Sequence, residues 1–141
     1  MDGMDAMMKD LEAHQDIIYV DKEFGIVQFA IEDDVFQIES TIELGCITMS
    51  SVLGDVDVEN ENLTAMLFGL MALNLYNYQT FGLGLGLDTT KMNIVAFRNF
   101  YENDLKDNNL VSISEDFIGK FLSLKKLFHS EFQDTFVKKF S

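Results

Sequence analysis

His14, His129 and Cys46 are the side chains of this 141-residue chain best suited to act as a general base or nucleophile near neutral pH. None stands in a pattern that would use it. Cys46 falls in an apolar, strand-like run, no nucleophile-elbow sequence occurs, and no Cys or His residues are paired at zinc spacing. Carboxylates are abundant, but most fall where solvated strand faces and loops would place them, and nothing selects one acid/base pair over another.

Two segments imitate ligand loops. In Gly54-Asp55-Val56-Asp57-Val58-Glu59-Asn60-Glu61 a carboxylate recurs at every second position, as oxygen ligands do in a calcium loop. An EF-hand loop also needs glycine sixth and a bidentate glutamate twelfth; counted from Asp55, those places hold Asn60 and Met66. The segment therefore reads as a solvated loop entering a helix. In Phe81-Gly82-Leu83-Gly84-Leu85-Gly86-Leu87-Asp88, glycines alternate with large apolar residues. A dinucleotide loop requires G-x-G-x-x-G, and the third glycine position after Gly82 and Gly84 is Leu87. With no Gly-Lys-Ser/Thr phosphate loop either, the chain is expected to be no enzyme, with no catalytic residues, no metal and no cofactor.

Charge points to a protein partner. The net charge is −14, and all of it lies before Asn62, where sixteen acidic residues face only Lys9 and Lys22; the remainder is balanced. Such a segment repels nucleic acid and anionic lipid and attracts a basic partner, or else serves solubility alone. The single cysteine and the lack of an apolar run after a basic start predict a cytoplasmic protein. The longest uncharged stretch, Leu63 to Leu87, is broken by Asn74, Asn77, Gln79 and glycines, so no membrane span is expected.

The elements that carry these residues follow from periodicity. Met4, Met7, Met8 and Leu11 recur at helical spacing and predict a short first helix, whose methionine face suits either docking or core. Three strands follow: Ile17 to Val20, Gly25 to Ile31, and one from Phe36 in which Phe36, Ile38, Ser40, Ile42 and Leu44 alternate with polar residues. A further strand from Cys46 to Ser51 is compatible with the pattern. Leu63 to Asn77 is apolar nearly all round, which predicts a helix capped by Asn60 or Asn62 and covered on its second side by another subunit or a bound chain. The Gly-rich segment reads as a strand from Phe81 to Asp88, whose bare face would be approached closely by another backbone or helix. Met92 to Phe100 returns as its hairpin partner. Ser112 and Glu115 have capping-box spacing before a final helix striped by Phe117, Phe121, Leu124, Phe128, Phe132, Phe136 and Phe140. The expected fold is a single α+β domain over 1–141: an antiparallel twisted sheet of about five strands with three helices, in the order α-β-β-β-α-β-β-α, as a homodimer.

That order, together with Leu73-Asn74, Leu85-Gly86-Leu87-Asp88, the strand ending in Glu32-Asp33-Asp34 and Val52-Leu53-Gly54, resembles the class I type III secretion chaperone family. The resemblance implies a homodimeric cytoplasmic chaperone that holds the N-terminal segment of a secreted effector in extended form and delivers it for export, with the export ATPase a further partner. It implies an effector groove lined by Met7, Met8, Leu11, Ile18, Phe24, Ile26 and Phe36, and a dimer interface of Leu63, Met66, Leu67, Leu70 and Leu73. A second reading of the same features is an acidic dimeric module that antagonises or regulates a basic protein. Neither involves nucleic acid or membrane.

Overall fold

The computed structural model describes residues 16–21, 23–41, 45–56, 59, 61, 63–75, 80–101 and 110–128. Its strands are β1 (Asp16–Asp21), β2 (Ile26–Ile31), β3 (Asp34–Thr41), β4 (Cys46–Asp55), β5 (Gly84–Asp88) and β6 (Asn93–Tyr101). The helices among the described residues are α1 (Leu63–Leu75), between β4 and β5, and α2 (Leu110–Leu127), after β6. The sheet order is β1-β2-β3-β4-β6-β5, so β1 and β5 are the edge strands. The predicted first helix lies outside the described residues.

Among the described residues the strand count is six where about five were expected. The added strand, β4, is hard to read because its inward positions are Met49, Ser51 and Leu53, which breaks the apolar alternation with a serine. Burial there is tolerated because the Ser51 hydroxyl donates to the Val35 carbonyl at 2.8 Å. Helix α2 begins at Leu110, which places Ser112 and Glu115 inside the helix and corrects their reading as a capping box.

The chain divides into two compact units. The first comprises residues 1–51 and 98–117. Within it β1, β2, β3 and the start of β4 pair in antiparallel succession, with Phe29 directly opposite Phe36 and Ile38 opposite Met49. Period-2 alternation turns Val27, Phe29, Phe36 and Ile38 inward and Gln28, Gln37 and Glu39 outward. The Phe29 and Phe36 rings stack at 5.6 Å between centroids, and Phe117 from α2 meets Phe36 edge-on at 6.2 Å. On the outer face the Gln28 amide donates to Gln37 at 2.8 Å, and the Thr48 hydroxyl donates to Asn99 at 2.6 Å, which keeps that face polar.

The second unit comprises residues 52–97 and 118–141. Its buried residues include Leu53, Met66, Leu70, Leu73, Leu83, Leu85, Ile94, Phe121 and Leu124. Strand β5 starts at Gly84, later than the predicted Phe81, because Thr80 to Leu83 forms a tight turn closed by the Leu83 amide donating to the Thr80 carbonyl at 3.0 Å. Phe81 and Gly82 take φ of 58° and 83° in that turn. At Gly82 an added Cβ would meet nothing within 4 Å, so only backbone conformation is at stake. Gly82→Ala is therefore expected to lower stability by about 1 kcal/mol, measurable as a shifted urea midpoint at unchanged slope. Over the bare face of β5 lies the Phe97 ring of β6, 2.6 Å from where a Cβ on Gly84 would stand. An aromatic ring thereby restores the packing that glycine lacks.

Candidate functional site

An extended peptide can be bound through an edge strand together with apolar side chains beside it, and β1 offers both. Register between β1 and β2 shifts between Ile17 and Tyr19, which leaves Ile18 as the extra residue of a bulge. Released from the regular alternation, Ile18 is 54% exposed, and Tyr19 beside it is half exposed. The Tyr19 phenol donates to Asp21 at 3.3 Å, and the charge of that carboxylate, with the hydrogen bond, pushes the phenol above its ordinary pKa. Tyr19 is thus a neutral aromatic at physiological pH.

The β1–β2 turn presents a second apolar side chain. Asp21 Oδ1 accepts the amides of Glu23 at 3.0 Å and Phe24 at 3.2 Å, a local turn that aspartate favours. Phe24 at the tip is 64% exposed. Ile26, the first residue of β2, is half-buried. Of the residues expected to line an effector groove, the structure thus places Ile18, Phe24 and Ile26 on one hairpin. Met7, Met8 and Leu11 lie outside the described residues. Phe36 is 1% exposed and stacked between Phe29 and Phe117, so it is a core residue, and its groove role is corrected. Its alternation with polar neighbours marked an inward face, and the inward face is the covered one.

A second apolar surface lies on α1. Met66, Leu70 and Leu73, expected at a dimer interface, are buried within the chain itself, and Leu63 and Leu67 are half-buried. The side chains left outside are Phe68, Met71 and Leu75, at 55%, 68% and 74% exposure. Their spacing of three and four puts them on one stripe of the helix. Sequence reasoning finds two apolar sides on α1 and assigns the partner to the one that the chain itself covers. No periodic signal separates the sides, because both are apolar.

Little else on the described residues invites chemistry. Cys46 is half-buried at the start of β4, its sulfur 4.0 Å from the Thr48 hydroxyl. Gly54 and Asp55 end β4, and Val56 beyond them is buried, so the start of the calcium-like segment is strand. His14 and His129 lie outside the described residues, as do Asn60 and Asn62. Among the described residues no group of three or more His, Cys, Asp or Glu could hold a metal ion, and no helix is long and apolar enough to cross a membrane.

No protein-family model matches the chain, and no curated protein matches its sequence. Solved structures do match its fold. The ExsC–ExsE complex contains a chain that superposes with a TM-score of 0.72 at 13% identity, over 96% of this chain and 99% of that one. The HopA1–SchA chaperone–effector complex matches with 0.59 at 16% identity, over 87% of each chain. The Yersinia pestis type III secretion chaperone SycH, solved with a stable fragment of YscM2, matches with 0.53 at 16% identity, over 86% of this chain and 95% of that one. At such identities a likeness shows architecture alone, and in architecture this chain shares the fold of type III secretion chaperones.

Proposed function

We propose that this chain is a non-enzymatic, cytoplasmic, homodimeric chaperone that binds the N-terminal segment of a type III secreted effector in extended form and delivers it for export. The observation that carries the reading is the β1–β2 hairpin, an edge of the sheet bearing Ile18, Tyr19 and Phe24 in solvent. Main-chain bonding along an edge strand supplies sequence-tolerant affinity, and apolar side chains beside it select what is bound. The proteins that share the fold support this role, since SchA and SycH are both chaperones solved with a bound partner. Delivery to an export ATPase would follow capture.

Co-expression with N-terminal segments of the large proteins encoded beside its gene tests the reading. A soluble complex of defined stoichiometry supports it; failure of every such segment to co-purify sinks it. Ile18→Asp combined with Phe24→Asp is expected to weaken capture at least about tenfold, as loss of central apolar anchors does. Because both side chains are exposed, the same variant should leave the urea midpoint within about 0.5 kcal/mol of the parent.

One observation favours the second reading, of an acidic dimeric module that antagonises a basic regulator: the confinement of all net negative charge before Asn62. A basic partner held mainly by that charge would dissociate as salt rises, whereas an apolar partner would not. Co-purification of a transcription regulator in place of a secreted protein, lost at high salt, would select this reading.

A further inference from the structure

A sheet with two edge strands offers an extended chain two places to add, and the two ends of this sheet differ. On β5 the backbone amide and carbonyl of Leu85, which point away from β6, are occupied by a side chain of the same chain. The Asn74 amide, near the end of α1, donates to the Leu85 carbonyl at 2.7 Å, and its Oδ1 accepts the Leu85 amide at 2.7 Å. One side-chain amide thus fills both bonds that a neighbouring strand would make at that residue. Leu83, in the turn just before β5, is satisfied locally as well. There the Thr80 hydroxyl donates to the Leu83 carbonyl at 2.6 Å, while the Leu83 amide donates to the Thr80 carbonyl. The backbone groups of Leu83 and the outward groups of Leu85 are thus satisfied before any partner arrives.

We infer that Asn74 guards the β5 edge: by imitating a peptide group it occupies the Leu85 position that strand addition by a second copy of this chain would use, and so biases edge pairing toward β1. Edge strands left open pair with other chains, and proteins blunt them by covering the exposed groups. Here the cover is local. The guard goes beyond the proposed function and does not depend on what β1 binds.

The test compares Asn74→Ala with Asn74→Asp by light scattering from micromolar to millimolar concentration, alongside circular dichroism. Alanine removes both bonds and leaves the edge bare; as a better helix former, it also leaves α1 intact. Aspartate loses the bond to the Leu85 carbonyl but places a charge where an incoming strand would have to lie. The expected result is a larger species in Asn74→Ala that grows with concentration, while Asn74→Asp keeps the parent mass. Equal masses for parent and both variants would overturn the guard and leave Asn74 a stability contact; association of both variants would overturn it too.

Hydrogen exchange of the unaltered protein provides a reading that does not depend on a variant folding. The Leu85 amide should be protected as strongly as that of Gly86, which faces β6. Exchange of Leu85 as fast as an exposed amide would refute the guard.

Discussion

Replacing Phe36 with alanine is expected to lower stability by about 3 to 5 kcal/mol, the usual cost of emptying a large aromatic site in a core. The expectation rests on position: Phe36 is almost wholly buried, lies opposite Phe29 in the β2–β3 register, and receives the edge of Phe117. Removing it unstacks one ring and leaves Phe117 facing a void. A domain of this size is commonly held by about 5 to 15 kcal/mol, so the variant should sit near its unfolding threshold. Urea denaturation followed by circular dichroism measures the loss. The same experiment on Phe24→Ala provides the contrast, with an expected change below about 0.5 kcal/mol for an exposed side chain at a turn. If Phe36→Ala kept its urea midpoint and lost only partner binding, Phe36 would be a groove residue, as the family resemblance implied, and its packing against Phe29 and Phe117 would be wrong.

That pair of phenylalanines shows what the sequence could tell and where it stopped. Periodicity locates β2, β3, α1 and β6 to within a few residues, because period 2 and near-continuous apolarity are strong local signals. Asp88 to Lys91 is legible as a turn from composition, and the structure adds how: Asp88 Oδ1 accepts the amides of Thr90 and Lys91. What alternation cannot report is which apolar residues remain uncovered. Phe36 on β3 and Phe24 in the β1–β2 turn are the same residue type, yet one is sealed by a helix more than seventy residues later in the chain, and the other sits exposed in a turn closed by Asp21. The Ile18 bulge is likewise a register property, invisible until β1 is paired with β2. Asn74 enters the sequence reading as a polar break in an uncharged stretch and as part of a resemblance, and its role at the β5 edge arises only when α1 and β5 are in contact.

Met71→Glu, alone or with Phe68→Glu, is expected to convert the proposed homodimer into a monomer. The argument begins with the unusual uniformity of α1, whose thirteen residues include no charge. One side of that apolar surface is spent inside the chain on Ala65, Met66, Leu70 and Leu73. The stripe of Phe68, Met71 and Leu75 is left in water, and an uncharged, apolar helix face of this kind is stable in solution when another apolar surface covers it. A second copy of the same helix is a self-complementary cover, since in a two-fold interface each stripe meets its equivalent. One glutamate per chain then places two like charges in a desolvated contact, a cost of several kcal/mol and so at least about a hundredfold in dimer affinity. Light scattering at micromolar concentration should show the parent at twice the chain mass and Met71→Glu at the chain mass, with the circular dichroism spectrum unchanged. Leu73→Ala serves as the control from the opposite side of the helix: it should cost about 2 to 5 kcal/mol of stability through its buried site while the mass at low denaturant stays dimeric. If Met71→Glu remained a dimer and Leu73→Ala dissociated, the interface would lie on the face first read from the sequence; a parent already monomeric would remove the dimer from the proposal and leave the α1 stripe to a different partner.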